Sequence, residues 1–316
     1  MSAPGTVAEL GEFGLIERIA RALPSPPEGE IWSGDDAAVL PRPADDLVVS
    51  TDVLVEDVDF SSSWASGTDV GWKAMAANAS DLAAMGAHPW RAVAMLALPP
   101  TTPIAFVDEV VDGLVAGAAH HSLSLVGGDL SRADEIVLGL TVIGLMDGPA
   151  VTRSGARAGD DIYVTGVLGG ARAGLDILRG VIEVEAGDRA ALVARQLRPT
   201  ARVEEGIVVR RGGATAMIDV SDGLIADLMH LLDASGLGCT IDPDLVPLAS
   251  GVPDRSYALF GGEDLELLFT LGEGGGSVAE GVGATRIGTT TREGRSLGGT
   301  AFEDLEGVGW DHLRGR

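Results

Sequence analysis

Short acidic strings flanked by glycine recur along this 316-residue chain and carry its clearest chemistry. They read GDDAAVL (34–40), STD (50–52), NASDLAAMGAHP (78–89), GGD (127–129), DVSDGL (219–224) and GGEDLEL (261–267). Carboxylates beside glycines at the ends of apolar segments suit hard cations, and Mg²⁺ takes carboxylate and water oxygens that it commonly shares with phosphates. Lys73 is the single lysine, and no G-x-x-x-x-G-K-[ST] loop surrounds it, so a P-loop mechanism is excluded. Phosphates handled by this chain must be neutralised by metal ions and arginine.

Each string also has a plain structural reading. In DVSDG an apolar strand gives way to a helix, so Asp222 falls near exposed helix N–H groups, where Ser221 or Asp222 would serve equally as an N-cap. The glycines of GGD admit a ligand to the backbone, and a tight turn would require them too. Asp81 is placed towards the end of an alanine-rich helix, a position where negative charge opposes the helix dipole and a bound cation would offset it. Asp35 with Asp36, and Ser50 with Thr51 and Asp52, present adjacent oxygens able to share one ion. Clustering of so many carboxylates is costly through mutual repulsion unless cations are bound, which favours a multi-metal phosphate site.

The elements that must hold these strings follow from periodicity. Phe13, Ile16, Ile19, Ala20 and Leu23 predict a helix stopped by Pro24, Pro26 and Pro27. A short strand, 47–50, delivers Thr51 and Asp52 at its end, and 69–85 reads as a helix. Strand 92–98 precedes a helix opened by Thr102 as N-cap and Pro103 at N1 and running to about His120. Strand 123–126 ends in GGD, and 136–146 is another strand. The turn cluster Asp147-Gly148-Pro149 divides the chain into domains 1–148 and 149–316. Beyond it come strand 162–165, helices 170–178, 189–197 and 202–211, strand 214–218, helix 223–234 and strand 261–270. The fold class is α/β (α+β).

A net charge of −25 argues against a nucleic-acid partner, whose phosphates demand a basic face. The one cysteine, Cys239, excludes an internal disulfide framework and reads as a buried thiol. Apolar runs such as 92–98 are too short to span a bilayer and no secretory signal opens the sequence, so a cytoplasmic protein without a membrane partner is expected.

Taken in order, GDDAAVL, STD, NASDLAAMGA, VGGD, TRSGARAGD, IDVSDGL, GGEDLEL and a closing GWDH resemble the thiamine-monophosphate kinase family of the aminoimidazole-ribonucleotide-synthetase superfamily, from about Gly11 to His312. The resemblance implies a two-domain fold whose N-terminal mixed sheet forms a barrel in a homodimer, with a C-terminal α/β sandwich domain. It implies transfer of the γ-phosphoryl group of ATP to thiamine monophosphate, assisted by several Mg²⁺ ions. The acceptor is already ionised near neutral pH, so no general base is expected. By motif, metal ligands are expected at Asp36, Ser50, Thr51, Asp52, Asp81, Asp129, Asp219 and Asp222. Nucleotide contacts are expected at Gly128, Asp129, Arg153 and Ser221, and substrate contacts at Glu263 and Trp310. Two positions depart from the family pattern. Val58-Asp59-Phe60 stands where a histidine is common, making Asp59 the candidate substrate contact, and His120-His121 stands where an aromatic residue is common, making His121 the candidate for adenine stacking. Among alternatives, a selenophosphate synthetase would need a reactive N-terminal cysteine and a hydrogenase maturation factor a cysteine-bearing tail. A non-catalytic nucleotide- or divalent-cation-binding protein would be expected to have lost some of these carboxylates.

Overall fold

A computed structural model describes residues 5–32 and 37–305. The chain divides into two compact units, one formed by Met1–Leu82 with His88–Gly148 and the other by Ala83–Ala87 with Pro149–Arg316.

The first unit runs α1 (Val7–Leu10), α2 (Glu12–Ala22), β1 (Asp46–Val55), α3 (Gly67–Met85), β2 (His88–Leu98), α4 (Ile104–His120), β3 (Ser124–Arg132) and β4 (Val137–Met146). Its sheet has the order β1-β4-β2-β3, antiparallel except for the parallel β2–β3 pair. Strand β4 shows the period of two expected of a half-covered strand: Leu138, Leu140, Val142 and Met146 are buried and alternate with less buried residues. Helix α4 buries Val107, Val110, Val111, Leu114 and Ala118, a spacing of three and four that forms one apolar stripe. Helix α3 approaches it backbone to backbone, since a Cβ at Gly71 would lie 2.1 Å from the Val110 carbonyl oxygen. The other face of the sheet is not filled. Val49, Val53, Val93 and Met95 are exposed, and a cavity of about 1120 Å³ lies between the last three and Phe13 and Ile16 of α2. Phe13 is 79% exposed, so the apolar stripe of α2 does not close over the sheet.

The second unit runs β5 (Asp161–Val164), α5 (Gly170–Leu178), α6 (Ala186–Leu197), α7 (Val203–Arg211), β6 (Ala216–Asp219), α8 (Leu224–Ser235), β7 (Gly238–Ile241), α9 (Ser256–Phe260), β8 (Leu267–Leu271), α10 (Gly276–Gly281), β9 (Thr285–Thr291), β10 (Arg295–Leu297) and β11 (Thr300–Ala301). Its seven-stranded mixed sheet has the order β11-β10-β7-β9-β5-β8-β6. Leu224, Leu228, Leu231 and Leu232 of α8 join Ile162, Val164, Ile218 and Leu268 of the strands in one core. Cys239 is buried in that core, and burial pushes its thiol up to about 11. Ile177 and Leu192 form a smaller cluster joining α5 to α6.

Four sequence expectations are corrected. Strand β1 continues through Thr51 and Asp52, and β3 continues through GGD, because antiparallel and parallel neighbours carry on pairing past the polar residues. Residues 261–266 are not strand: Glu263 and Leu265 have φ of +67° and +52°, which breaks the extended run before β8. Pro103 rather than Thr102 is the N-cap of α4.

Candidate active site

In the first unit the expected metal ligands Ser50, Thr51 and Asp52 lie midway along β1, an outer strand of the sheet, and Asp81 lies on α3. Ser50 on β1 donates its hydroxyl to the Asp81 carboxylate of α3 at 2.5 Å. Thr51 donates to the Leu140 carbonyl at 2.7 Å and accepts from the Thr141 hydroxyl at 3.2 Å, which holds its oxygen beside β4. Asp52 is exposed, and one of its oxygens accepts the Val53 N–H at 2.8 Å. Ser50, Asp52 and Asp81 thus come from adjoining elements, as a shared cation would require.

Gly128 and Asp129 lie elsewhere on the same sheet. Asp52, Leu140, Ala94 and Gly128 form one cross-sheet row, with Asp52 and Gly128 on opposite outer strands. Three inter-strand spacings separate them, about 14 Å, too far for Asp52 and Asp129 to hold one ion within a single sheet. Gly128 is required by packing, since a Cβ there would meet the Ala94 carbonyl oxygen at 2.1 Å.

In the second unit two loops are laced together. Glu263 N–H donates to the Ser221 carbonyl at 2.8 Å, Leu265 N–H to Val220 at 3.0 Å, and Val220 N–H to Glu266 at 2.8 Å. The loop bearing Ser221 and Asp222 is therefore fixed against the loop bearing Glu263. Asp219 ends β6, buried, in register with Leu267 of β8. Gly223 adopts φ +119° beside the Phe260 backbone and begins α8. Arg153 is exposed; its carbonyl accepts the Ser235 hydroxyl, and neighbouring Thr152 accepts the Met217 N–H of β6. The TRSG segment therefore runs alongside the strand that delivers Asp219.

Asp227, Gln196 and Arg202 carry no signal in the reading above, and Asp264 and Glu266 enter it only within the GGEDLEL string. Asp227, 1% exposed in the first turn of α8, accepts the N–H groups of Ser221, Asp222 and Gly223 on one oxygen at 3.0, 3.1 and 3.1 Å. Burial, with the charges of Asp219 and Asp222, pushes its carboxyl up to about 8 against the opposing pull of the amides. This mutual repulsion is what a cation beside Asp219 and Asp222 would relieve, so the donor set fits a divalent metal. An acidic residue in a first helical turn is the signal that could have found Asp227. Asp264 accepts the N–H groups of Gly169 and Ala171 at the start of α5, and burial pushes it up to about 7. Glu266 receives Arg202 through two bonds of 2.7 Å and the Thr165 hydroxyl at 2.6 Å. Glu263 receives the side-chain amide of Gln196 at 2.7 Å.

Other expectations change. His121 is 3% exposed, its Nδ1 lies 2.8 Å from the Gly117 carbonyl at the end of α4, and its ring packs edge-on against Trp72 and His120. A ring so enclosed offers no face for adenine, which corrects its assignment as the stacking residue. Burial lowers its imidazole to about 4. Asp59 accepts the Val55 N–H at 2.8 Å, closing the turn after β1, which gives its carboxylate a structural task. Lys73 is 6% exposed and donates to the Asp59 carbonyl at 2.9 Å, so the one lysine is structural. Asp36 and Trp310 lie outside the described residues. Among the described residues no group of three or more His, Cys, Asp or Glu side chains converges as a metal cluster.

Residues 34–146 match the family described as AIR synthase related protein, N-terminal domain, and residues 157–296 match its C-terminal domain. A thiamine-monophosphate kinase from Mycobacterium tuberculosis is 37% identical over 98% of this chain and 92% of its own length. The crystal structure of thiamine-monophosphate kinase from Stenotrophomonas maltophilia K279a superposes with a TM-score of 0.82 at 36% identity, covering 92% of this chain and 98% of that one. A second solved structure, AaThiL complexed with AMPPCP and TMP, gives a TM-score of 0.78 at 35% identity over 98% of this chain and 99% of that one.

Proposed function

The chain belongs to the thiamine-monophosphate kinase family of AIR synthase related proteins, and from that membership we infer that it transfers the γ-phosphoryl group of ATP to thiamine monophosphate, releasing thiamine diphosphate and ADP. The reaction joins two anionic phosphates, so the barrier is electrostatic and positional. Thiamine monophosphate supplies its own ionised oxygen as nucleophile, and no side chain has to remove a proton. Asp81, with Ser50 and Asp52, and Asp219 with Asp222 are the residues proposed to hold Mg²⁺. Bound there, the metal would neutralise charge on the reacting phosphates.

Ser221 and Gly128 are proposed as nucleotide contacts, with Arg153 as a guanidinium for phosphate. Glu263 is proposed to meet the substrate. One observation carries this reading: the hydrogen bonds lacing Ser221 and Val220 to Glu263 and Leu265 support a nucleotide loop and a substrate loop that act as one piece.

A homodimer completes the proposal. The apolar residues Val49, Val53, Val93 and Met95 on the open face, together with the outer strands β1 and β3, each paired on one side only among the described residues, support two such sheets closing on one another as a barrel. ATP as co-substrate fits a cytoplasmic setting, and among the described residues no helix is long and apolar enough to cross a membrane.

The test is direct. Purified protein with ATP, Mg²⁺ and thiamine monophosphate is expected to give thiamine diphosphate and ADP in equal amounts. Nucleotide binding with ATP left intact would overturn the kinase reading and leave a binding protein.

A further inference from the structure

Two buried aspartates stand behind the two laced loops of the second unit, one for each. Asp227 reaches from α8 and holds the Ser221 loop by its N–H groups. Asp264 works in the opposite sense. It belongs to the Glu263 loop and reaches outwards, accepting the N–H groups of Gly169 at 2.6 Å and Ala171 at 3.0 Å at the start of α5. The first of these bonds joins positions 95 residues apart, and Asp264 is 7% exposed.

Helix α5 needs a cap from outside. No side chain caps it locally, and none can stand at its N-cap, Gly169, which has φ +84° and where a Cβ would lie 2.9 Å from the Ala258 nitrogen. First-turn N–H groups buried without an acceptor are costly. Any acceptor of the right reach would meet that need. The one present comes at a backbone cost, since Glu263 and Leu265 on either side of it adopt φ of +67° and +52°. Non-glycine residues keep such angles where the surrounding structure over-determines them, and they cluster where side chains must be aimed. Capping α5 does not account for that strain. Holding the loop does.

The loop is held at three consecutive residues. Glu263 N–H donates to the Ser221 carbonyl, the Asp264 side chain is tied to α5, and Leu265 N–H donates to the Val220 carbonyl. The outer two ties lead to the nucleotide loop, and the middle one sets the substrate loop against a helix of its own. We propose that Asp264 is a positioning residue for the acceptor: by seating its loop on α5 it sets the direction in which Glu263 meets thiamine monophosphate. The proposal rests on the kinase reading above and adds to it the residue that anchors the proposed substrate contact.

Asp264→Asn keeps the shape of the side chain and replaces one of its two acceptor oxygens by a donor. It is expected to raise KM for thiamine monophosphate about tenfold and to shift the melting temperature by no more than about 4 °C. KM for ATP is expected to stay within about twofold, because Asp227 still holds the Ser221 loop. Ala171→Pro removes one donor from the helix side, at a first-turn position open to proline, and is expected to raise the same KM. Glu263→Gln is expected to raise it too, and the double variant Asp264→Asn with Glu263→Gln to be no worse than Glu263→Gln alone, because Asp264 acts through that carboxylate. An unchanged KM for thiamine monophosphate in Asp264→Asn or Ala171→Pro would reduce Asp264 to a cap for α5 and overturn the proposal. An equal rise in KM for ATP, or additive effects in the double variant, would overturn it as well. Wild-type protein without kinase activity would instead overturn the functional reading on which it stands.

Discussion

The hydroxyl of Ser50 and the carboxylate of Asp81 meet at 2.5 Å, joining the middle of β1 to the fourth turn of α3 across 31 residues of sequence. The bond couples a strand that carries Thr51 and Asp52 to a helix whose alanine-rich faces admit close packing. Removing the hydroxyl leaves the carboxylate without its strand-side anchor. Ser50→Ala is expected to raise the Mg²⁺ concentration for half-maximal activity about tenfold, while stability falls by only ~1 kcal/mol. Metal titration at saturating ATP and thermal unfolding together check this.

Asp222 and Asp227 lie five residues apart and should respond in opposite ways. Asp222 is half-buried on the loop before α8, whereas Asp227 holds that loop by three amide bonds. Asp222→Asn is expected to lower kcat at least a hundredfold with little change in melting temperature. Asp227→Ala strands three buried or half-buried N–H groups and is expected to cost about 2–4 kcal/mol of stability. Paired turnover and unfolding measurements separate the two. Retained activity in Asp222→Asn would remove it from the proposed metal site.

Glu266 is almost fully enclosed and receives Arg202 through two bonds. Hydrogen bonding to Glu266 raises the Arg202 pKa above its ordinary value. Arg202→Met would leave a buried carboxylate without its cation, at a cost of about 3 kcal/mol, some of it offset by solvent reaching the partly exposed arginine site. Urea denaturation should show the loss. The simultaneous change Arg202→Met with Glu266→Leu is expected to recover part of it, since the pair is then removed together.

His121 makes stability depend on acidity. Its folded pKa, lowered to about 4 by burial, lies below the 6.5 of a free imidazole, so the unfolded chain binds the proton more readily. Its contribution is intact above pH 6.5 and is lost as pH falls from 6.5 towards 4, by about 3 kcal/mol in all. Unfolding free energies measured across that window should fall more steeply for the native chain than for His121→Phe.

Much of this architecture was legible because its signals are local. The helical spacing of Leu224, Leu228, Leu231 and Leu232 and the apolar run of 136–146 each specify an element without help from distant residues. The acidic strings were legible as types of residue placed next to glycine. What periodicity could not supply was pairing across the sheet. Whether β1 stops at Ser50 or runs through Asp52 depends on β4 lying alongside, and the distance between Asp52 and Asp129 depends on strand order. His121 is similar: its sequence shows an imidazole near a glycine pair, and only the fold reveals Trp72 and His120 packed on it. Gln196 and Arg202 escape for the same reason, as their partners lie 67 and 64 residues away.

The scarcity of lysine in this chain has a consequence for how the molecule meets alkaline solution. The chain's only lysine sits inside the fold, and its other basic side chains, the histidines apart, are arginines, which keep their protons to beyond about pH 12. Burial raises both tyrosines, Tyr163 and Tyr257, and pushes Cys239 up to about 11. Between about pH 9 and pH 10 almost no group is left to gain or lose a proton. Over a range where lysine-rich proteins shed charge steadily, this one keeps a constant electrophoretic mobility, and its surface repels anions with undiminished strength.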